Sequence, residues 1–328
     1  MFVRKLPAIV VAAGLLVSLS ACSGSAFAGG CAPAYSTGGN AALVTANGAL
    51  GADPMATFPT PLVASTQPQA AITHAGSGAV VAPGDTANIQ ITIYDGSTGN
   101  TLISTDYTNT GLRLLAITGA PAFGSLAQCA TVGSRVAAVG TAGTLIGQGA
   151  ITQNKALSGL ALTDTVVMVV DVTQGFLGRA NGADQLPVPG MPSIVLAPNG
   201  QPGFTFPAGK APTDLRIATL KAGKGATVNK GDSVIVNYTG VLWADKKTVF
   251  DSTWDRSAPA TLIATSLADD QSGVVPGFAT ALIGAHVGSQ VLVVIPPKYG
   301  YPSGSAPSSV PDGSTMVFVI DILGIDKK

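Results

Sequence analysis

Apolar and polar residues alternate over several short stretches of this chain, and the alternation predicts strands. In "SVIVNYTG" (233–240), Val234, Val236 and Tyr238 fall on one side. In "TMVFVIDIL" (315–323), Met316, Phe318, Ile320 and Ile322 do the same, whereas "QVLVVI" (290–295) is apolar throughout. Phe278 and Leu282, four apart, predict one short helix over 276–283, opened by Pro276 and closed by Gly284. One sheet with a single helix laid across it is an α+β layout, with a pocket wherever helix and strands leave a gap.

The pattern occurs twice. "AGSGAVVAPGD" (75–85) matches "AGKGATVNKGD" (222–232) at seven of eleven positions, an offset of 147. "IYDG" (93–96) parallels "NYTG" (237–240), "PAF" (121–123) parallels "PGF" (276–278), and "VGSRVAAV" (132–139) parallels "VGSQVLVV" (287–294). "TVVMVVDV" (165–172) parallels "TMVFVIDI" (315–322). These parallels predict two copies of one domain, at 53–172 and 201–328, each of typical single-core size. Between them, residues 173–200 are rich in Pro and Gly and read as a semi-extended linker. Residues 22–52, dominated by Gly, Ala, Ser and Asn, read as a flexible tether.

Composition narrows the function. The 328 residues carry 17 basic and 17 acidic side chains, so no long-range field favours nucleic acid. Arg4 and Lys5 precede an apolar run ending in small residues, the order of an export signal over residues 1–21. Its end, "LSAC" (19–22), resembles the lipobox of bacterial lipoproteins. The resemblance implies cleavage before Cys22, lipidation of that cysteine, and a protein lipid-anchored to the cell membrane on its extracytoplasmic side; ordinary secretion with cleavage after Ala28 is the alternative. Cys31 and Cys129 remain, either as one disulfide or as two free thiols. Three Cys and two distant His supply no ligand cluster, so no metal and no cofactor are expected. No nucleophile elbow, P-loop or H-E-x-x-H appears.

The chain is only 5% aromatic and 10% charged, yet "TVFDSTWDR" (248–256) holds Phe250, Asp251, Trp254, Asp255 and Arg256. Such a concentration of scarce side chains suggests a pocket wall. Together with "VNYTG" (236–240), "VVPGF" (274–278), "VGSQV" (287–291), "YGYP" (299–302), "SSVPDG" (308–313) and "MVFVIDIL" (316–323), it resembles the FKBP-type peptidyl-prolyl cis–trans isomerases over about 213–325. The resemblance implies two tandem FKBP-like domains, each an antiparallel sheet wrapped around one short helix. It further implies that Tyr238, Phe250, Asp251, Phe278, Tyr301 and Phe318 line a proline pocket with catalytic roles. Val274 and Val275 would form its floor, Tyr299 and Val310 would flank it, and Arg256 would hold Asp251. Phe278 stands where the family usually has Trp, Pro302 where it has Gly, and Ala260 where an aromatic is common. Implied partners are proline-containing unfolded or exported polypeptides, with macrolide inhibitors as a further class. A non-catalytic envelope chaperone or peptide-binding module is the alternative, since function belongs to sites rather than folds.

The first copy departs from this pocket. Aligning "TLIS" (101–104) with "TVFD" (248–251) puts Ile103 and Ser104 in the places of Phe250 and Asp251. Thr144 and Ile146 replace Tyr299 and Tyr301, Met168 replaces Phe318, and Phe123 and Tyr94 read as retained. The first copy is therefore expected to keep the fold without the activity.

Overall fold

The computed structural model describes residues 27, 30–107, 114–117, 122–245, 248–301 and 304–327. In the N-terminal half lie β1 (Ser36–Thr37), β2 (Thr45–Asn47), β3 (Met55–Thr57), β4 (Gln69–His74), β5 (Thr86–Asp95), β6 (Thr101–Ser104), β7 (Leu114–Ile117), β8 (Arg135–Thr141) and β9 (Thr165–Phe176). The C-terminal half holds β10 (Ala183–Asp184), β11 (Ser193–Leu196), β12 (Pro202–Thr205), β13 (Arg216–Ala222), β14 (Ser233–Leu242), β15 (Val249–Ser252), β16 (Ala260–Ile263), β17 (Gln290–Ile295) and β18 (Met316–Asp326). Two seven-stranded sheets result, in the orders β1-β4-β8-β9-β5-β6 and β10-β13-β17-β18-β14-β15, with β7 on β5 and β16 on β14.

The two sheets share their irregularities as well as their order. Bulges fall between Ile72 and His74, Asn88 and Ile89, and Ile93 and Tyr94 in the first sheet. They recur between Thr219 and Lys221, Ile235 and Val236, and Gly240 and Val241 in the second. Each inserts one residue on one strand and resets which side chains face the core.

That register corrects part of the expected correspondence between the halves. Ile93 pairs with Met168, and Gly240 pairs with Phe318, so Tyr94 corresponds to Val241 and Ile91 to Tyr238. Reading "IYDG" against "NYTG" is three residues out, an odd slip that exchanges the two faces of a strand. Tyr94 lies on the back of its sheet with Val167 and Val169, edge-on to Phe58, its hydroxyl donating to the Pro54 carbonyl. On β6, Leu102 and Ile103 correspond to Phe250 and Asp251, rather than Ile103 and Ser104.

Both faces of each sheet are covered, which explains the continuous apolar run of β17. Val291, Val293 and Ile295 face the helix side with Phe278 and Leu282; Leu292 and Val294 face the back with Met191 and Trp243. In the second half the expected helix forms over Pro276–Leu282, with proline in its first turn and Gly284 beyond it at φ 85°; the first half departs from the expected single helix, with a 3-10 turn at Ala122–Ala127 and short α-helices at Ala142–Leu145 and Gln148–Gln153. Cys129 takes the place of Gly284, at φ 65°, and each backbone N–H donates at 2.8 Å to its half's valine carbonyl, Val81 or Val228. A disulfide joins Cys129 to Cys31, with Cα atoms 5.6 Å apart.

The described residues of the expected tether, from Gly30 onward, and the expected linker are built into the fold. Arg135, 1% exposed, donates to both carboxylate oxygens of Asp171 and to the carbonyls of Asn47, Gly48, Ala49 and Ala52. Those bonds hold the β2–β3 hairpin over the back of the first sheet, where Ala41 and Val44 are buried. The β11–β12 hairpin covers the back of the second sheet in the same way, through Met191, Ile194, Phe204 and Phe206. Residues 176–182 run along the seam between the sheets: Leu177 N donates to Leu323, Ala180 N to Asp321 Oδ2, and Gly182 N to Gly288. Phe176, Ile235 and Leu323 are buried there, and a Cβ on Gly324 would meet Phe176 at 2.4 Å. Composition suggested flexibility; these backbone groups instead find partners within the fold.

Candidate active site

The helix-facing side of the second sheet gathers four aromatic rings. Tyr238 comes from β14, Phe250 from β15, Phe318 from β18, and Phe278 from the helix. Phe318 stands at the centre, edge-on to Phe278 at 5.1 Å, to Phe250 at 5.4 Å and to Tyr238 at 6.1 Å between centroids. Tyr238 and Phe278 meet at 5.8 Å. These T-shaped contacts set the positive edge of one ring against the negative face of another. Val275 is buried in the same cluster, with Val274, Tyr299 and Tyr301 packed against it and Val310 buried beside the loop.

A glycine makes room for this arrangement. A Cβ at Gly240 would come within 2.6 Å of Phe318 and 2.8 Å of Phe250, so only a residue without a side chain lets both rings lean over β14. Gly240 was legible as the last letter of "VNYTG", but its spacing role was not. Gly240→Ala should displace both rings and cost about 1–3 kcal/mol by overpacking; urea denaturation measures this, and an unchanged midpoint would refute the spacing role. In the first sheet Ile93 holds the place of Gly240, and Ile91, Leu102 and Met168 hold those of three rings; all four pack in one core cluster.

At the rim, Tyr238 Oη donates to Asp251 Oδ2 at 2.5 Å, and Arg256 Nη1 donates to Asp251 Oδ1 at 2.5 Å. Arg256 Nη2 reaches Tyr238 Oη at 3.2 Å, and the guanidinium carbon lies 5.8 Å from the Tyr238 ring centre. Arg256 and Asp251 are 51% and 38% exposed, so their pairing adds at most about 1 kcal/mol. Its effect is to orient Asp251 and, through it, the phenol. Burial, then the neighbouring Asp251 carboxylate, pushes the Tyr238 phenol up to about 12, so it stays protonated at neutral pH. Burial and then the Asp251 charge also raise Tyr301. Thr253 locks this edge, its N–H donating to the Tyr238 carbonyl while its Oγ1 accepts from Tyr238 N; nothing in the sequence singled it out.

Not every side chain of "TVFDSTWDR" joins this wall. Trp254 turns to the seam between the sheets, where its ring edge would meet a Cβ on Gly200 at 2.9 Å. Asp255 points to Gln201 Nε2 at 3.4 Å. Lys298 stands 5.0 Å over the Tyr299 ring and pairs with Asp214. Cys22 and Pro302 lie outside the described residues.

Residues 224–323 match the family model described as FKBP-type peptidyl-prolyl cis-trans isomerase. A curated relative, the "Probable FK506-binding protein" of Corynebacterium glutamicum, is 34% identical over 125 residues, 38% of this chain and 97% of that protein. The FKBP-type peptidyl-prolyl cis-trans isomerase FkpA of Escherichia coli is 33% identical over 113 residues, which span 34% of this chain and only 38% of FkpA. The crystal structure of FkpA aligns at 31% identity and a TM-score of 0.30, covering 35% of this chain and 50% of that one.

Proposed function

This chain belongs to the FKBP-type peptidyl-prolyl cis-trans isomerases, and we propose that it isomerises X–Pro bonds of exported polypeptides in the aromatic pocket of its second sheet. The observation that carries the reading is Phe318 packed edge-on against three rings, beside a phenol held by Asp251. Rotation about an X–Pro bond faces a barrier of about 18–20 kcal/mol, most of it amide resonance. A water-poor aromatic pocket disfavours the charge-separated planar amide relative to the twisted one, so the barrier falls without proton transfer. Tyr301 donates to a substrate carbonyl, and Asp251 keeps the Tyr238 hydroxyl turned away from the proline ring. A gain of about four to six powers of ten needs roughly 5.5–8 kcal/mol of preferential transition-state stabilisation.

The recurring bulges support two tandem copies of one FKBP-like domain. Ile93 in the place of Gly240 supports a first copy whose pocket is filled by its own side chains. NMR exchange spectroscopy on an Ala–Leu–Pro–Phe peptide with the full chain tests the activity; no acceleration over buffer would leave only a binding module. The lipobox-like "LSAC" supports a lipid anchor at Cys22 on the extracytoplasmic side of the cell membrane. Cys22→Ala should release the protein from washed membranes, and undiminished retention would refute the anchor.

A further inference from the structure

The seam between the sheets holds a groove apart from the aromatic pocket. Asn237 and Tyr238 are consecutive on β14, so their side chains leave opposite faces. Tyr238 enters the aromatic cluster, whereas Asn237 lines a cavity of about 190 Å³ with Thr86, Asn199, Trp254, Pro259 and Leu323. A second cavity of about 520 Å³ shares Gly84, Gly178 and Asn199 with it, so the two run on from each other. Both halves of the chain contribute walls; among the described residues none that lines the inner cavity carries a charge, whereas Asp85 and Arg179, one of each sign, line the outer one. Thr86 is 3% exposed, and its Oγ1 has no hydrogen-bond partner among the described residues. That hydroxyl has essentially no exposed surface, so it lies behind the cavity wall and gives an occupant no contact.

We infer that this seam groove is a second ligand site, which takes an uncharged stretch of extended polypeptide. The inner cavity is smaller than the roughly 300–1,000 Å³ of drug-sized sites, matching one or two residues rather than a cofactor. Asn199 Oδ1 accepts from Gln201 N and Asn237 Nδ2 donates to the Gly178 carbonyl, which leaves the Asn199 Nδ2 donors and the Asn237 Oδ1 acceptor to complement a peptide main chain. Trp254 and Pro259 give a flat apolar wall for a small side chain. Two cavities in series suit a chain that continues past its first residues better than a single closed ring. The site also accounts for the position of Trp254, which the aromatic pocket does not use.

The full chain carrying Trp243→Phe reports on this groove, because Trp254 is then its sole tryptophan. The buried Trp243 Nε1 has no partner among the described residues, so the replacement forfeits no hydrogen bond there. The probe is acetyl–Ala–Gln–Ala–Ala–amide, which lacks proline. Saturable change in Trp254 emission is expected with a midpoint on the order of 1 mM, and calorimetry on the unaltered chain should return the same midpoint. Asn199→Ala should raise the midpoint about fivefold, one hydrogen bond's worth. Ala258→Leu, at the exposed rim of the inner cavity, should abolish the response. Phe318→Leu should leave it unchanged, so the result stands or falls separately from isomerase activity. A response that does not saturate, that survives Ala258→Leu, or that glucose reproduces at equal concentration would overturn the inference.

Discussion

Phe318→Leu should lower the rate gain on a proline tetrapeptide on the order of 100-fold, equal to about 2.7 kcal/mol of transition-state stabilisation. Among the described residues, Phe318 is the one ring in edge-to-face contact with Tyr238, Phe250 and Phe278 together. Leucine keeps an apolar side chain of comparable bulk at a position 5% exposed, so the sheet stays folded while the shape of the cleft is lost. Tyr238→Phe isolates the polar rim. It removes the hydroxyl that Asp251 and Arg256 share, and should cost about fivefold. Full activity in Phe318→Leu, with circular dichroism unchanged, would remove the aromatic cluster from the reaction.

Arg135→Ala should lower the stability of the first sheet by about 3–5 kcal/mol in urea denaturation. The substitution leaves Asp171, which is 0% exposed, buried without its cation, and strips four hairpin carbonyls of their donor. The second sheet supplies the control. There Gln290 occupies the place of Arg135 and donates at 2.7 Å to Asp321, which stands in the place of Asp171 and also accepts from Ala180 N. Burial raises the Asp321 carboxyl above the ordinary range, outweighing its hydrogen bonds from Ala180 N and Gln290 and the charges of Lys221 and Arg179. Arg135→Gln should therefore lose distinctly less stability than Arg135→Ala. Equal losses would mean that the charge, rather than the donor, holds the hairpin. Isomerase activity in the second sheet should persist in both variants, because the ion pair lies in the other half of the chain.

The aromatic cluster was legible because its members belong to local patterns. Tyr238 and Phe318 sit at core-facing positions of alternating strands, and Phe278 lies one helical turn from Leu282. Gly240 and Thr253 were not legible in their roles, since a clearance and a backbone clamp exist only between segments. The same limit explains Trp254: it sits within the most conspicuous stretch of the chain, yet its contact is with Gly200, more than fifty residues away.

Side-chain periodicity determined the strands, the helix between Pro276 and Gly284, and the repetition of the pattern, because these depend on neighbours a few residues apart. The fate of Tyr94, the docking of the two hairpins, and the course of residues 176–182 were decided only in three dimensions. A bulge shifts a strand's facing by one residue without leaving a mark in the letters, since it is defined by pairing with a distant strand. A Gly- and Ala-rich segment reads as flexible until Arg135, almost ninety residues farther on, donates to its carbonyls.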